Sequence, residues 1–487
     1  MKYPSRIYHF INGNEVESTS RKYIEKISPT SGKVVARIEK GTGEDVDSAV
    51  TYASDHFFRW AYTPVIQRAD ILRTAALILQ EKREEIAFIV SSETGKSFKD
   101  SLVEVSGAIE LGFFMAGEGR RFYGRTTTSA VLNRFAYTMR QPIGVCALIV
   151  PFNTPIANVS WKAFPALLCG NTCVLKAAKD TPFTPVWFAK ILQLAGLPKG
   201  VFNVVQGSGE EVGRSLVEDD RVDLVSFTGS CEVGEYIAKV AGGRIAKVSL
   251  ELGGKNAFLV CDDADMKDAV SYAVLSAFSN AGQRCSSGSR LIIFEKIYDQ
   301  FKREFVQKTK QLKVGSGDKD DVGPVINESQ MNKILVEIDH AVLQGANVIA
   351  GGKRLVKGEK KNGFFIEPTI VEGAKVDASI SQSELFGPVT CLFKVKNFEE
   401  AVRLVNATDY GLTSAIHTRS IHRIQEFIHR VRVGLVSVNG PTFGSEPHLP
   451  FGGVGKSGNG HREPGTEALD VYSEWKTVYI KYNPSRV

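Results

Sequence analysis

The chain has 487 residues, of which 43% are apolar and 23% charged, with a formal net charge of +6. That length exceeds what one hydrophobic core serves, so two or three lobes are expected, and the composition is that of a soluble globular protein. No run of Lys and Arg is dense enough for a nucleic-acid surface, no stretch of about eighteen apolar residues offers a membrane span, and Met1 to Phe10 lacks the apolar core of a signal peptide. The seven cysteines, Cys146, Cys169, Cys173, Cys231, Cys261, Cys285 and Cys391, are scattered and mostly set in apolar runs. That usage points to reduced thiols and a cytoplasmic setting, and no second Cys pair or His completes a metal set around Cys169 and Cys173.

In chain order, short apolar runs around Asn12-Gly13 and Ser31-Gly32 predict hairpin strands. From Gly43 to about Phe122 the spacing is helical. Apolar stripes start at Val46, Ala49 and Ala53, then at Ile71, Ala75, Leu77 and Ile78, then at Ile86, Ile89 and Val90. Ser92-Glu93-Thr94-Gly95-Lys96 predicts a helix stop with glycine past the end. Thr126 to Arg140 is polar and β-branched and predicts an extended strand without a nearby partner, either a projecting arm for self-association or a plain edge hairpin.

From Ile143 strands and helices alternate, which predicts a parallel α/β sheet. Strands are expected at Val145 to Val150, Thr172 to Leu175, Val201 to Val205, Leu224 to Phe227 and Ala246 to Leu250. Their C-terminal ends deliver Asn153, Lys176, a glycine turn holding Gly209 and Gly213, Thr228-Gly229-Ser230 and Glu251. Such ends are where open α/β sheets bind ligands. Small polar turns between strand and helix present N–H groups and a positive dipole end to phosphate, so two in succession suggest a dinucleotide. A second α/β lobe is expected from about Asn256. Between its first helix and the strand at Ser289 to Phe294 lies Asn280-Ala281-Gly282-Gln283-Arg284-Cys285. A cysteine on a glycine-marked bend suits a nucleophile facing a cleft, although a lone cysteine is equally an inert buried thiol.

Pro151-Phe152-Asn153-Thr154-Pro155, Val174-Leu175-Lys176, Phe227-Thr228-Gly229-Ser230, Leu250-Glu251-Leu252-Gly253-Gly254-Lys255, Gly282-Gln283-Arg284-Cys285, Glu384-Leu385-Phe386-Gly387-Pro388 and Pro450-Phe451-Gly452-Gly453 together resemble the aldehyde dehydrogenase superfamily, nearly end to end. The resemblance implies two open parallel α/β lobes with an extended β oligomerisation arm. A Rossmann-like nucleotide-binding domain would span 1–124 and 143–253, a catalytic domain 254–456, and oligomerisation segments 125–142 and 469–487. It implies NAD(P)-dependent oxidation of an aldehyde to a carboxylic acid. Cys285 would be the nucleophile, Asn153 an oxyanion donor, and Glu251 the base that activates water against the thioester. Cofactor contacts are implied at Lys176, Gly209, Gly213, Phe227 to Ser230, Leu252, Glu384 and Phe386.

Lys179 departs from the pattern, since many NAD-preferring relatives carry an acid there. An ammonium attracts a 2′-phosphate, which leans the expectation toward NADP over NAD. The implied substrate pocket holds Asn158, Trp161, Arg284, Ser286, Phe443 and Phe451, with Thr442 and His448 beside it. These permit a semialdehyde, a hydroxyaldehyde or an aromatic aldehyde. A homodimer or homotetramer is implied, without nucleic acid, membrane or metal. Rival expectations are a coenzyme A-acylating relative, disfavoured by Glu251, a catalytically silent structural member, and a thiol hydrolase, for which no histidine lies near Cys285 in sequence.

Overall fold

A computed structural model describes residues 2–486. Its first seven-stranded sheet runs Lys247–Glu251, Leu224–Thr228, Val145–Ile149, Thr172–Lys176, Phe202–Val205, His9–Ile11 and Asn14–Val16. The strands from Lys247 to Val205 in that order are parallel; the last two are the Asn12-Gly13 hairpin, joined antiparallel through Val204 and Phe10. Chain order starts at the centre with Val145–Ile149, moves outward to Phe202–Val205, then returns to the other side at Leu224. The order therefore reverses beside Val145–Ile149 and opens a crevice beyond the ends of that strand and of Leu224–Thr228. Every residue of Val145–Ile149 is buried, as a strand covered on both faces requires.

The second seven-stranded sheet runs Asn347–Ala350, Thr369–Glu372, Val389–Val395, Gly288–Phe294, Asn256–Val260, Thr413–His417 and Leu435–Val438. All but the first edge strand are parallel. The chain passes from the first sheet to the second through Leu252 to Lys255. The loop 450–460 returns to close the exposed edge of the first sheet. Leu252 N–H donates to Ser457 O at 2.9 Å, Leu250 N–H to Asn459 Oδ1 at 3.0 Å, and Ser457 Oγ to Gly253 O at 2.7 Å.

The predicted helical region holds. Gly43–Ala61 carries a Thr42–Asp45 capping box and buries Val46, Ala49 and Ala53. Arg83–Thr94 buries Ile86, Ile89 and Val90 and stops at Gly95 with φ 74°. The stripe placed at Ile71, Ala75, Leu77 and Ile78 needs correction. The buried face of Val65–Glu81 follows Leu72, Ala75, Ala76 and Leu79, and Leu77 is 52% exposed. The i, i+3, i+4, i+7 spacing starts one residue later than the apolar run suggests.

In Thr126 to Arg140 the hairpin alternative is found, and the expected lack of a partner is corrected. It is two strands, Arg125–Thr127 and Arg134–Pro142, reversed at a turn where Asn133 has φ 55°. Its partner is the chain's own tail: Ser473–Lys481 pairs antiparallel with Arg134–Pro142 over their whole length. Arg140 lies 4.2 Å over the Trp475 ring and Arg134 4.4 Å over Tyr479, while Phe135, Trp475, Tyr479 and Ile480 stay exposed. Among the described residues no helix is long and apolar enough to cross a membrane.

One glycine brings two loops of the second lobe together. Gly282 has φ 67°, and a Cβ on it would press on the carbonyl of Gly387. Gly282→Ala should therefore cost about 2–4 kcal/mol, combining left-handed strain with overpacking against backbone. Urea unfolding checks this, and a midpoint equal to that of the wild type would refute the tight contact at Gly387.

Candidate active site

The helix Met266–Phe278 ends in a turn where Asn280, Ala281 and Gly282 are all left-handed, at φ 53°, 54° and 67°. Two non-glycine residues in that region store strain that the surroundings must hold. Asn280 Nδ2 donates to Asn153 O at 3.3 Å and Gln283 O at 3.2 Å. The Gln283 side chain accepts from Ile326 N–H at 2.9 Å and donates to Pro324 O at 3.2 Å. Asn256 Nδ2 donates to Cys285 O at 2.7 Å and Ser287 O at 2.9 Å. The loop is thus pinned on both flanks, and Cys285 faces a cavity of about 750 Å³.

Asn153 follows the central strand and reaches the same loop, its Nδ2 donating to Gln283 O at 3.0 Å. Its Oδ1 accepts from Asn158 Nδ2 at 3.2 Å. Beneath it, buried Lys96 donates to Asn153 O at 2.8 Å and pairs with Glu104 at 2.7 Å. Glu104 Oε1 in turn accepts the Ile156 and Ala157 amides at 3.0 and 3.4 Å, at the start of the helix Pro155–Leu168. Asn153 is therefore held by its backbone as well as by its amide.

Glu251, at the end of its strand, is buried in the opposite wall, and neither carboxylate oxygen has a hydrogen-bond partner within the protein. Burial first, then the Glu463 carboxylate, pushes its pKa well up, against opposing pulls from Lys162 and Arg462. Glu463 belongs to a closed buried cluster: Lys162 Nζ donates to it at 2.9 Å and to Ser226 Oγ at 2.8 Å, and Tyr472 Oη donates to Glu463 at 2.8 Å. Burial likewise pushes the Cys285 thiol up to about 12, with Glu384 and Glu251 adding to it and Arg284 opposing. Glu384 rises to about 7, chiefly by burial, against the Gly254 N–H that donates to it at 3.2 Å and the charge of Lys255.

The remaining wall is a run of bare backbone. Thr228, Gly229, Ser230, Leu252, Gly253, Glu384 and Phe386 all line the cavity. A Cβ on Gly229 would strike the Phe227 ring, one on Gly253 the Glu384 carboxylate, and one on Gly234 would meet Leu252 at 2.6 Å. Ser230 caps the helix Cys231–Gly243, whose N-terminus opens here. Close-packed glycines, a helix N-terminus and a carboxylate in one line fit a nucleotide: pyrophosphate at the helix, ribose at Glu384. Phe386, at φ 54°, sets its ring edge-on to Phe152, 5.6 Å between centroids.

Other expected cofactor residues lie off this wall. Lys176 is buried, its pKa lowered to about 8 by burial and by the like charge of Lys179, with Asp180 opposing. Lys179 is exposed. Gly209 and Gly213 bound a short helical turn, and a Cβ on either would face open space. Of the expected pocket residues, Asn158, Trp161, Arg284, Ser286, Phe443 and Phe451 line the cavity, with Trp161 and Phe451 edge-on at 5.6 Å. Thr442 instead is buried and donates to Ser286 O at 2.6 Å, and His448 lies outside the wall. Lys96, Glu104, Lys162, Glu463 and Asn256 escaped the sequence reading. Lys96 stood in the helix-stop motif, but no spacing rule links it to Asn153.

Residues 16–478 match the model of the aldehyde dehydrogenase family. The chain is 40% identical over 468 residues to 2,5-dioxopentanoate dehydrogenase of Saccharolobus solfataricus, covering 95% of this chain and 97% of that one. It is 37% identical to alpha-ketoglutaric semialdehyde dehydrogenase of Bacillus subtilis, covering 97% and 98%. Among solved structures, betaine aldehyde dehydrogenase of Staphylococcus aureus in complex with NAD+ is similar at a TM-score of 0.96 and 33% identity, covering 98% of this chain and 95% of that one. The fold and nearly the whole length of the sequence thus have counterparts in proteins of one kind, and the chain belongs to the aldehyde dehydrogenase family of NAD(P)-dependent oxidoreductases.

Proposed function

We propose that the enzyme oxidises its aldehyde through a thioester on Cys285 and releases the acid by hydrolysis. The observation that carries this is the convergence of Cys285, Asn153 and Glu251 on one cavity that continues to Thr228–Ser230 and Glu384. Burial keeps the Cys285 thiol protonated at neutral pH, so its proton must leave as sulfur attacks the carbonyl carbon. Glu251, made more basic by burial, is the neighbouring acceptor. The oxyanion that develops on the thiohemiacetal is met by Asn153 Nδ2 and the Cys285 N–H, groups already held in place. A bound nicotinamide supplies the hydride acceptor. Glu251 passes that proton to solvent, takes a proton from water as hydroxide adds to the thioester carbon, and gives it to sulfur as the C–S bond breaks, which returns the thiol. A carboxylate in the cavity favours this hydrolytic release over transfer to coenzyme A.

Lys179 supports use of NADP alongside NAD: it is exposed, close enough to depress Lys176, and makes no ion pair among the described residues. Seven free cysteines, five of them buried, support a reducing, cytoplasmic setting. The sheet of Arg125–Thr127, Arg134–Pro142 and Ser473–Lys481 carries exposed aromatic and aliphatic side chains, which supports its use as a homo-oligomer contact.

Cys285→Ala should abolish reduced-cofactor production while NAD(P) binding, read by calorimetry, persists. Glu251→Gln should lower steady turnover by about 10²–10⁴-fold and slow the first turnover as well, because the thiol proton loses its acceptor; steady turnover at the wild-type rate in either variant rules out that residue's role. Lys179→Ala should lower kcat/KM with NADP about tenfold, ~1.4 kcal/mol, and leave NAD within twofold. Equal losses with both cofactors would end the case for a phosphate contact. Sedimentation should show a dimer or tetramer that Phe135→Asp with Tyr479→Asp dissociates; an unchanged mass refutes the arm's role.

A further inference from the structure

We propose that Arg284 is the receptor for a carboxylate at the far end of the substrate, which makes the preferred aldehyde an oxo-acid of the semialdehyde type. This rests on the aldehyde oxidation proposed above and adds to it a substrate class. The names of the relatives do not decide the matter, because they include both an anionic aldehyde and the cationic betaine aldehyde.

Arg284 lines the cavity immediately before Cys285. Its Nε is buried and has no hydrogen-bond partner, and the guanidinium makes no ion pair among the described residues. It is held by stacking instead, 4.8 Å over the ring of Phe443. A half-buried guanidinium whose Nε is enclosed without a partner is costly, and burial does lower its pKa. Such a group is retained where something binds to it, and a carboxylate satisfies its planar fork with two parallel hydrogen bonds.

The acidic groups nearby do not fill that place. Glu104 is committed to Lys96 and to the Ile156 and Ala157 amides. Asp100 and Glu446 line the cavity but are exposed, where water and salt screen them. Trp161, Phe443 and Phe451 supply an apolar surface for the carbon chain between the aldehyde and the carboxylate. A quaternary ammonium in the same position would face the guanidinium as a like charge.

The test compares succinic semialdehyde with butanal, equal in carbon number and different in the terminal carboxylate, in the wild type and in Arg284→Gln and Arg284→Lys. The wild type should favour the acid in kcat/KM. Arg284→Gln should reduce that preference by about tenfold to a hundredfold, mostly through KM, and Arg284→Lys should restore part of it. A readout that needs no variant is protection of wild-type Cys285 from iodoacetamide: glutarate should slow alkylation, and glutaramide of the same length should not. A preference unchanged in Arg284→Gln, equal protection by both compounds, or a wild-type preference for butanal or betaine aldehyde would overturn the proposal. Butanal turnover without acid preference removes only the role of Arg284, whereas no turnover with any aldehyde removes the dehydrogenase reading and this inference together.

Discussion

The short crossing Leu252–Lys255 is the constraint on which the rest of the site depends. It is the direct covalent passage from the last strand of one sheet to the first of the other, and it touches every part of the machinery. Glu251 precedes it. Leu252 fills the space left by the absent side chain of Gly234, at the helix that opens the nucleotide wall. Gly253 lies flat against the Glu384 carboxylate and gives its carbonyl to Ser457. A Cβ on Gly254 would stand 2.6 Å from the carbonyl of Cys285. Glycine is needed at 253 and 254 because backbone itself is the packing surface there, and a methyl group would part the nucleophile from the cofactor wall.

Electrostatics in the cavity are governed by burial. Cys285, Glu251 and Glu384 share one space, the two carboxylates disfavour ionisation of the thiol, and desolvation exceeds every specific contact as the cause of all three raised pKa values. Of the cations that oppose it, Lys162 is paired to Glu463, Lys255 is buried with its own pKa lowered to about 8, and Arg284 and Lys333 line the cavity, Arg284 beside the nucleophile. The result is a thiol that burial holds protonated, and so less open to chance oxidation, beside a carboxyl group whose pKa burial also raises. The groups are set for proton transfer rather than for permanent charge.

What was legible in the sequence was what a single segment can show. An apolar run such as Val145–Ile149 followed by Pro151 to Pro155 predicts a buried strand and a ligand-bearing end, and the parallel order of the sheet then gathers Asn153, Thr228 and Glu251. The lone cysteine gained its meaning from those strand ends. What was not legible depends on pairs far apart in the chain. Arg134–Pro142 found its partner at Ser473–Lys481, and neither segment carries a mark of the other. Lys162 and Glu463 meet across the core although each alone reads as an ordinary surface charge. The shift from Ile71 to Leu72 on the helix Val65–Glu81 is of another kind, because an apolar run allows two faces and only packing selects one.

The strained turn before Cys285 shows why the support is so extensive. Asn280 and Ala281 sit in left-handed backbone that costs of order 1–3 kcal/mol at each position, and the loop has no regular secondary structure to offset it. The offset comes from amides of Asn153, Asn256 and Gln283 that bond to backbone of the loop or from it, each delivered by a different element. Asn153 thereby does two things with one amide. Its Nδ2 holds the loop through Gln283 O, and in the proposed reaction the same amide is the donor for the oxyanion. The loop bond and the proposed oxyanion contact both need an N–H donor, so aspartate and leucine at 153 would each lose both. The strain, the glycine contact at Gly387 and the oxyanion donor are therefore one arrangement, in which the geometry needed for attack is also what keeps the loop folded.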